Sequence, residues 1–528
     1  MSPEKKSDNT SIKSDQTNSS PQNSPCRESK TNCADKNATK NRPKSLTKKI
    51  LFRFLAVLLS LSPLFFFETL CRVNGWGNPV FYDDPYVGFS EIHPLFFHNE
   101  ETDRYEISPS RYKFFNKDSF PAQKPPDQTR IFVLGGSTVQ GRPYEIHTAF
   151  STWLELSLKA AEPDRDWDVI NCGGISYASY RLVPILQEVL QYEPDLIIVC
   201  TGHNEFLEDR TYDSIKNRST VLSWPAEQVS RLRTYNILRG KYLAITKQND
   251  TAVSPERPTL GPEVDARLDF KGGIEKYHRD DDWRQGVIEH FTHNLKRMVH
   301  ITNKAKVPLI YVCPVSNLDW PPFKAMPGED LSSDDRAHFE TLLQQFQQTP
   351  AQDIEEKISV LERMRSIDNR HPLVHYELGQ WYREARMYPQ ARQSFERAIE
   401  EDICPLRMLA PMRKNMITVA ESLNVPLVNV HALFTQRSKH NITNDQWLMI
   451  DHVHPSITGH KLVAEKLLHV MEKQNMVSTQ SGWESVRDQS YQQQMKNLHP
   501  SYFSKGEARL KGVLRWGFGK VKLERKTP

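Results

Sequence analysis

The chain has 528 residues, 38% of them hydrophobic, with 69 basic against 65 acidic side chains. A net charge of +4 excludes a general polyanion binder, which needs a strongly basic domain, and no nucleic-acid partner is expected. The seven cysteines, at positions 26, 33, 71, 172, 200, 313 and 404, form no Cys-x-x-Cys pair. That disfavours a zinc or thioredoxin-like site and leaves buried free thiols, so no metal is expected.

Residues 1–47 are polar and almost free of large apolar side chains, so they cannot offset the entropy of ordering, and a disordered tail is expected. Residues 48–72 hold an apolar stretch, uncharged from Phe54 to Phe67, with Arg53 near its start and Pro63 near its end. It is a little short of the ~20 residues of a spanning helix, but flanking residues can extend it. Lys48 and Lys49 precede it and no small-residue cleavage site follows. The expectation is a single-pass transmembrane anchor with a cytoplasmic N-terminus and an extracytoplasmic remainder. Residues 73–128 have little periodicity and read as an irregular lead-in that packs on the main domain.

From residue 129 short apolar runs alternate with amphipathic stretches. Strands are expected at Arg130–Leu134, Trp167–Asn171, Asp195–Cys200, Val307–Cys313 and Val425–Val430. Helices are expected at Ala149–Ala161, Tyr180–Gln191, Trp283–Ala305 and Thr458–Glu472. Continuous apolar strands separated by helices mark a parallel sheet covered on both faces, so the fold class is three-layer α/β/α with about five strands. The α/β domain runs over 129–325 and resumes over 405–474. Residues 208–282 are polar and irregular, a candidate lid. Residues 326–404 form a helical insertion. Within it Leu378, Gly379, Tyr382, Ala391, Phe395 and Ala398 fall at tetratricopeptide-like (TPR-like) spacing, offering a surface for a protein partner. The basic tail, 475–528, interleaves Lys and Arg with aromatics and reads as a packed or disordered end, with a membrane-surface segment as the alternative.

In an open parallel sheet the ligand crevice lies beyond the carboxyl ends of the strands. Here the first strand runs into Gly135-Gly136-Ser137, the second into Cys172-Gly173-Gly174-Ile175-Ser176, and the third into Gly202-His203-Asn204-Glu205. Asp451-His452-Val453-His454 comes later, before a helix. Serine attacks only when a base takes its proton. Asp451 and His454, three residues apart, share a face at a tight turn, so the carboxylate can orient the imidazole toward Ser137. His452 is the rival base, but its adjacency to Asp451 points it elsewhere. Val139 stands where a Gly-x-Ser-x-Gly elbow needs its last glycine, and no Gly-Lys-Ser/Thr makes a phosphate loop. Taken alone, Ser137 could be a helix cap and Asn204 a turn residue.

Together these four segments resemble the conserved blocks of the SGNH (GDSL-like) hydrolase family, over about residues 129–320 and 420–472. Gly135-Gly136-Ser137 stands for its Gly-Asp-Ser, Gly202-His203-Asn204-Glu205 for its Gly-x-Asn-Asp, and Asp451 to His454, followed by Pro455 and Gly459, for its Asp-x-x-His. The resemblance implies an SGNH/flavodoxin-like fold and ester hydrolysis through a covalent acyl-enzyme, with no cofactor. It assigns Ser137 as nucleophile, His454 as acid and base, and Asp451 as its orienting carboxylate. The oxyanion hole would use the N–H of Ser137, the Asn204 amide and a backbone N–H from the second block. Ser176 stands where the family has glycine, with Gly173 or Gly174 as alternatives. His203 is a candidate substrate contact. An O-acetylated glycan would suit the anchor and the family's range. An O-acyltransferase would use the same site, and a silent membrane scaffold binding through the TPR-like insertion is a third reading.

Overall fold

The computed structural model describes residues 46–74, 84, 86–208, 232–235, 237–238, 259–269, 273–442 and 447–518. Strands are β1 Gly88–Phe89, β2 Phe96–Asn99, β3 Arg104–Ile107, β4 Ser119–Pro121, β5 Gln128–Gly135, β6 Asp166–Gly173, β7 Leu196–Cys200, β8 Thr259–Leu260, β9 Leu309–Cys313 and β10 Leu427–Asn429. The principal sheet has five parallel strands in the order β10-β9-β7-β5-β6. Taken in chain order its strands lie 2-1-3-4-5, so the order reverses between β5 and β7. That switch point is where doubly wound sheets place their ligands.

The alternation along β5 explains the layers. Ile131 and Val133 point into one core, and Phe132 and Leu134 into the other. The first core is closed by α3 (Phe150–Ala161), α12 (Ile457–Lys473) and α13 (Trp483–Asn497). The second is closed by α4 (Ser179–Val189), α5 (Asp281–Ala305) and α10 (Ala410–Ser422). Strands buried on both faces need apolar side chains at every position, which accounts for the unbroken runs in the sequence.

The remaining described helices are α1 (Leu46–Val73), the single turn α2 (Ser137–Gln140), α6 (Ser333–Gln348), α7 (Ile354–Ile367), α8 (Pro372–Glu384), α9 (Tyr388–Glu400), α11 (Val430–Arg437) and α14 (Pro500–Phe518). The helical insertion α6–α9 follows β9 and precedes β10. In α8 and α9, Leu378, Gly379, Tyr382, Ala391, Phe395 and Ala398 are buried. A Cβ on Gly379 would lie 2.5 Å from the Phe395 ring, so only glycine permits this approach of the two helices. The insertion shares its core with the α4/α5 face of the sheet. Its charges reach the same body, with Arg279 on Glu401 at 2.6 Å and Arg370 on Asp281 at 2.7 Å.

Two expectations meet a different arrangement, and of the readings left open for the C-terminal segment the structure shows the packed one. The lead-in is not irregular: β2, β3 and β4 form an antiparallel sheet, and Phe96 and Phe120 pack edge-on against Phe132. Its strands are only three or four residues long, too short for a visible alternation. The C-terminal segment folds as α13 and α14. Tyr491 is buried with its hydroxyl bonded to Ser157 at 2.6 Å, and Tyr502 bonds Thr148 at 2.8 Å. The apolar segment of residues 48–72 falls in α1, but among the described residues no helix is long and apolar enough to cross a membrane. Most of the candidate lid, the tail before residue 46, and Cys26 and Cys33 lie outside the described residues. The five described cysteines are buried and unpaired.

Candidate active site

β5 delivers its last residue, Gly135, beside Cys200 of β7, and the chain turns through Gly136 into α2. A Cβ on Gly136 would sit 2.4 Å from Asn204 Nδ2, so a glycine here lets the Asn204 amide lie against the serine loop. Asn204 follows β7 across the switch point and is half-buried, as is Ser137. The Asn204 amide donates one hydrogen to the Tyr177 carbonyl at 3.0 Å, leaving its second N–H to face elsewhere.

Asp451 and His454 arrive from the loop before α12. Ser456 caps that helix by accepting the Gly459 N–H at 3.0 Å. The turn ahead of it is built around Asp451, which is fully buried. Asp451 Oδ1 accepts the backbone N–H groups of Val453 at 2.9 Å and His454 at 2.8 Å. Its Oδ2 accepts the His454 Nδ1–H at 2.6 Å. His454 Nε2 lies 2.7 Å from Ser137 Oγ, so the hydroxyl can donate to it. The structure therefore brings Ser137, His454 and Asp451 into one hydrogen-bonded chain. Burial acts to raise the Asp451 carboxyl, but the His454 charge and hydrogen bond, helped by His452 and the Val453 N–H, hold it well below the usual carboxylate range. Asn317 steadies the loop, its N–H donating to the His452 carbonyl at 2.9 Å and its amide to the Asp451 carbonyl at 3.2 Å.

His452 does not take the base's place. Its Nδ1 stands 3.6 Å from Asp451 Oδ1 without a hydrogen bond, and its ring packs between Trp320 and Phe323. Burial pulls it down to about 3, so it is neutral. His203 is also buried, with Nδ1 accepting the Met408 N–H at 3.1 Å, which leaves the proton of the neutral ring on Nε2. Burial lowers it to about 3, with the neighbouring His452 and His454 rings acting in the same direction.

The second-block segment distinguishes its three candidate donors. The Gly173 N–H is committed to Asn171 Oδ1 at 2.9 Å, and the Gly174 N–H to the Gly135 carbonyl at 2.9 Å. Among the described residues no protein acceptor takes the Ser176 N–H. Ser176 has φ +64°, the left-handed region that favours glycine. Glu205, at the usual aspartate position, is wholly buried and accepts both the N–H and the hydroxyl of Ser179 at 2.8 Å, so it fixes the start of α4.

A cleft of about 250 Å³, open solvent included, is lined by Gly136, Ser137, Tyr177, His203, Asn204 and Pro314 among others. No group of side chains suited to a metal ion occurs among the described residues. Tyr177, Asn317 and Met408 were not singled out in the sequence. Tyr177 directly follows Ser176 and so had a positional signal, whereas the other two act through backbone contacts with distant loops and had none.

Neither the family models nor the curated proteins give a match to this chain. Solved structures do, distantly. An α/β hydrolase, LAE5, from the metagenome of Lake Arreo is 13% identical with a TM-score of 0.29, over 65% of this chain and 95% of its own. The acetylxylan esterase Axe2 of Geobacillus stearothermophilus is 13% identical with a TM-score of 0.29, over 65% and 94%. The lipase/acylhydrolase of Enterococcus faecalis is 12% identical with a TM-score of 0.29, over 67% and 100%. Likeness of that degree says nothing of what this chain acts on.

Proposed function

We propose that the chain is a serine esterase that cleaves short acyl esters through an acyl-enzyme. One observation carries the reading: Ser137 Oγ, the His454 imidazole and the buried Asp451 carboxylate form a continuous relay at 2.7 and 2.6 Å. In it, Ser137 Oγ attacks the ester carbonyl carbon while His454 Nε2 takes its proton. The carbonyl oxygen becomes an oxyanion, met by the N–H of Ser137, the N–H of Ser176 and the free Asn204 amide hydrogen. Each such donor contributes roughly 10²–10³ in rate. Collapse of the tetrahedral intermediate expels the alcohol, which takes the proton from His454. Water then attacks the acyl-enzyme with His454 again as base, and Ser137 is regenerated. Asp451 stays ionised throughout, orienting the ring and stabilising the imidazolium.

An O-acetyl sugar is the substrate class we favour. Attachment to a lipid surface through α1 accompanies this reading. The uncharged run Phe54–Phe67 supports it, with Leu55, Leu59, Leu64, Phe65 and Phe66 each at least half exposed. Replacing Leu59, Phe65 and Phe66 by serine should then abolish co-sedimentation with phosphatidylcholine vesicles, and unchanged sedimentation would reject it.

The direct test of the chemistry is hydrolysis of an aryl acetate by the full chain beside Ser137→Ala. The variant should lose at least ~10³-fold in kcat, the scale of losing a triad member. A folded parent without turnover, or a variant that keeps it, would reject the esterase.

A further inference from the structure

The oxyanion donors Ser176 and Asn204 meet at one residue. Tyr177 is bonded through the peptide to Ser176, and its carbonyl accepts the Asn204 amide at 3.0 Å. Where Tyr177 sits therefore sets the position of both donors. Its hydroxyl does not reach the sheet for support but is gripped by Arg111. Arg111 Nη2 donates to it at 2.7 Å, and Nη1 donates to Glu263 Oε1 at 2.8 Å. The Tyr177 hydroxyl also lies 3.4 Å from Glu263 Oε2, so the three side chains close a ring.

Arg111 holds the same loop a second way. Its carbonyl accepts the N–H groups of Phe114 and Phe115, at 2.9 and 3.0 Å. The Phe114 carbonyl in turn accepts the Ile175 N–H at 2.9 Å, and Phe115 bridges to Gly174. The guanidinium stands 5.3 Å from the Phe115 ring centre and 5.9 Å from that of Tyr177.

This is a costly way to pack a loop. Arg111 is only 3% exposed, and its Nε has no hydrogen-bond partner among the described residues. Burying a cation with a donor unpaired is unfavourable, and apolar side chains of similar volume would serve cohesion better. What a planar, forked donor supplies instead is direction: it fixes the tyrosine at one angle. A left-handed Ser176 needs such support, because that backbone conformation is not its own preference.

We propose that Arg111 is a positioning residue that, through Tyr177, aligns Ser176 and Asn204 for the oxyanion. The inference rests on the esterase reading above. It is tested in the full chain with Arg111→Met, made both alone and together with Asn204→Ala, on the aryl acetate. Arg111→Met should lower kcat by roughly 10–100-fold with KM within about threefold, as expected for an interaction felt in the transition state. In the Asn204→Ala background the same change should cost at least about threefold less, because one of the donors it aligns is gone. Tyr177→Phe, which keeps the ring and loses only the hydroxyl, should give a smaller loss with the same dependence on Asn204, and it serves if Arg111→Met does not fold. An equal loss in both backgrounds, or an effect confined to KM or to Tm, overturns the role of Arg111 while leaving the esterase standing. A folded parent without Ser137-dependent turnover overturns both.

Discussion

Replacing Asp451 by asparagine keeps size and shape and changes what the loop can donate and accept. Oδ1 now takes two backbone N–H groups, from Val453 and His454. Only the carbonyl oxygen of an asparagine can continue to accept them, so its NH2 is forced to face His454 Nδ1. That nitrogen must become an acceptor, and the proton of the neutral ring moves to Nε2, against Ser137. The base is then in the wrong tautomer. The charge is lost as well. At an effective dielectric of about 20, a carboxylate and an imidazolium ~4 Å apart attract by about 4 kcal/mol. That alone is roughly 10³ in rate, and the tautomer error brings the expected loss in kcat to ~10³–10⁴. KM should hold, since neither group touches the ground-state ester strongly. Steady-state kinetics on the aryl acetate, with Tm measured beside them, check this. A folded Asp451→Asn enzyme within about tenfold of the parent would refute the relay as drawn.

Two further outcomes follow from the same geometry. Gly136→Ala should cost about 10² in kcat, because the new methyl would lie 2.4 Å from Asn204 Nδ2 and push the amide out. Kinetics in the Asn204→Ala background should show little further loss, and full additivity would argue against it. Acid should destabilise the fold well above the carboxylate range. His203, His452 and His460 are held by burial at about 3, below their ordinary value of 6.5. Between those values the unfolded chain binds more protons than the folded one. Stability is therefore full above about 6.5 and falls as the pH drops, by at most about 1.4 kcal/mol per pH unit for each histidine. Asp451, depressed in the fold, loses its contribution only lower, as pH falls below about 3.9. Calorimetry from pH 7.5 to 5 should show Tm declining, and a flat Tm would show that these rings are not buried as neutral groups.

Much of this was legible because it is local. Strands buried on both faces must be continuously apolar, so β5, β6, β7, β9 and β10 announced themselves to within a few residues. The turn that joins Asp451 to His454 needs only their spacing, and the chemistry at strand ends followed from the parallel sheet. The order 2-1-3-4-5 was not legible, because nothing in a strand states its neighbour. Nor was the second-block donor, since Gly173, Gly174 and Ser176 differ only in which acceptor reaches their N–H groups. The Phe96–Phe120–Phe132 packing that orders the lead-in joins positions far apart in the chain and leaves no periodic trace. Arg111 looked like one more arginine of that lead-in. The C-terminal tail left packed, disordered and membrane-surface readings open, and only the Tyr491 and Tyr502 contacts decide among them.

Ser137 and His454 stand 317 residues apart in the chain. At synthesis rates of about 5–20 residues per second, that separation amounts to some 15–60 s on the ribosome. During that interval the nascent chain displays a serine with no base, and the loop that carries it is also waiting for Tyr502 to seal its flank at Glu145 and Thr148. On the esterase reading, activity can then arise only once His454 and the Tyr502 helix have both been made, so chains that stop before them should be inert.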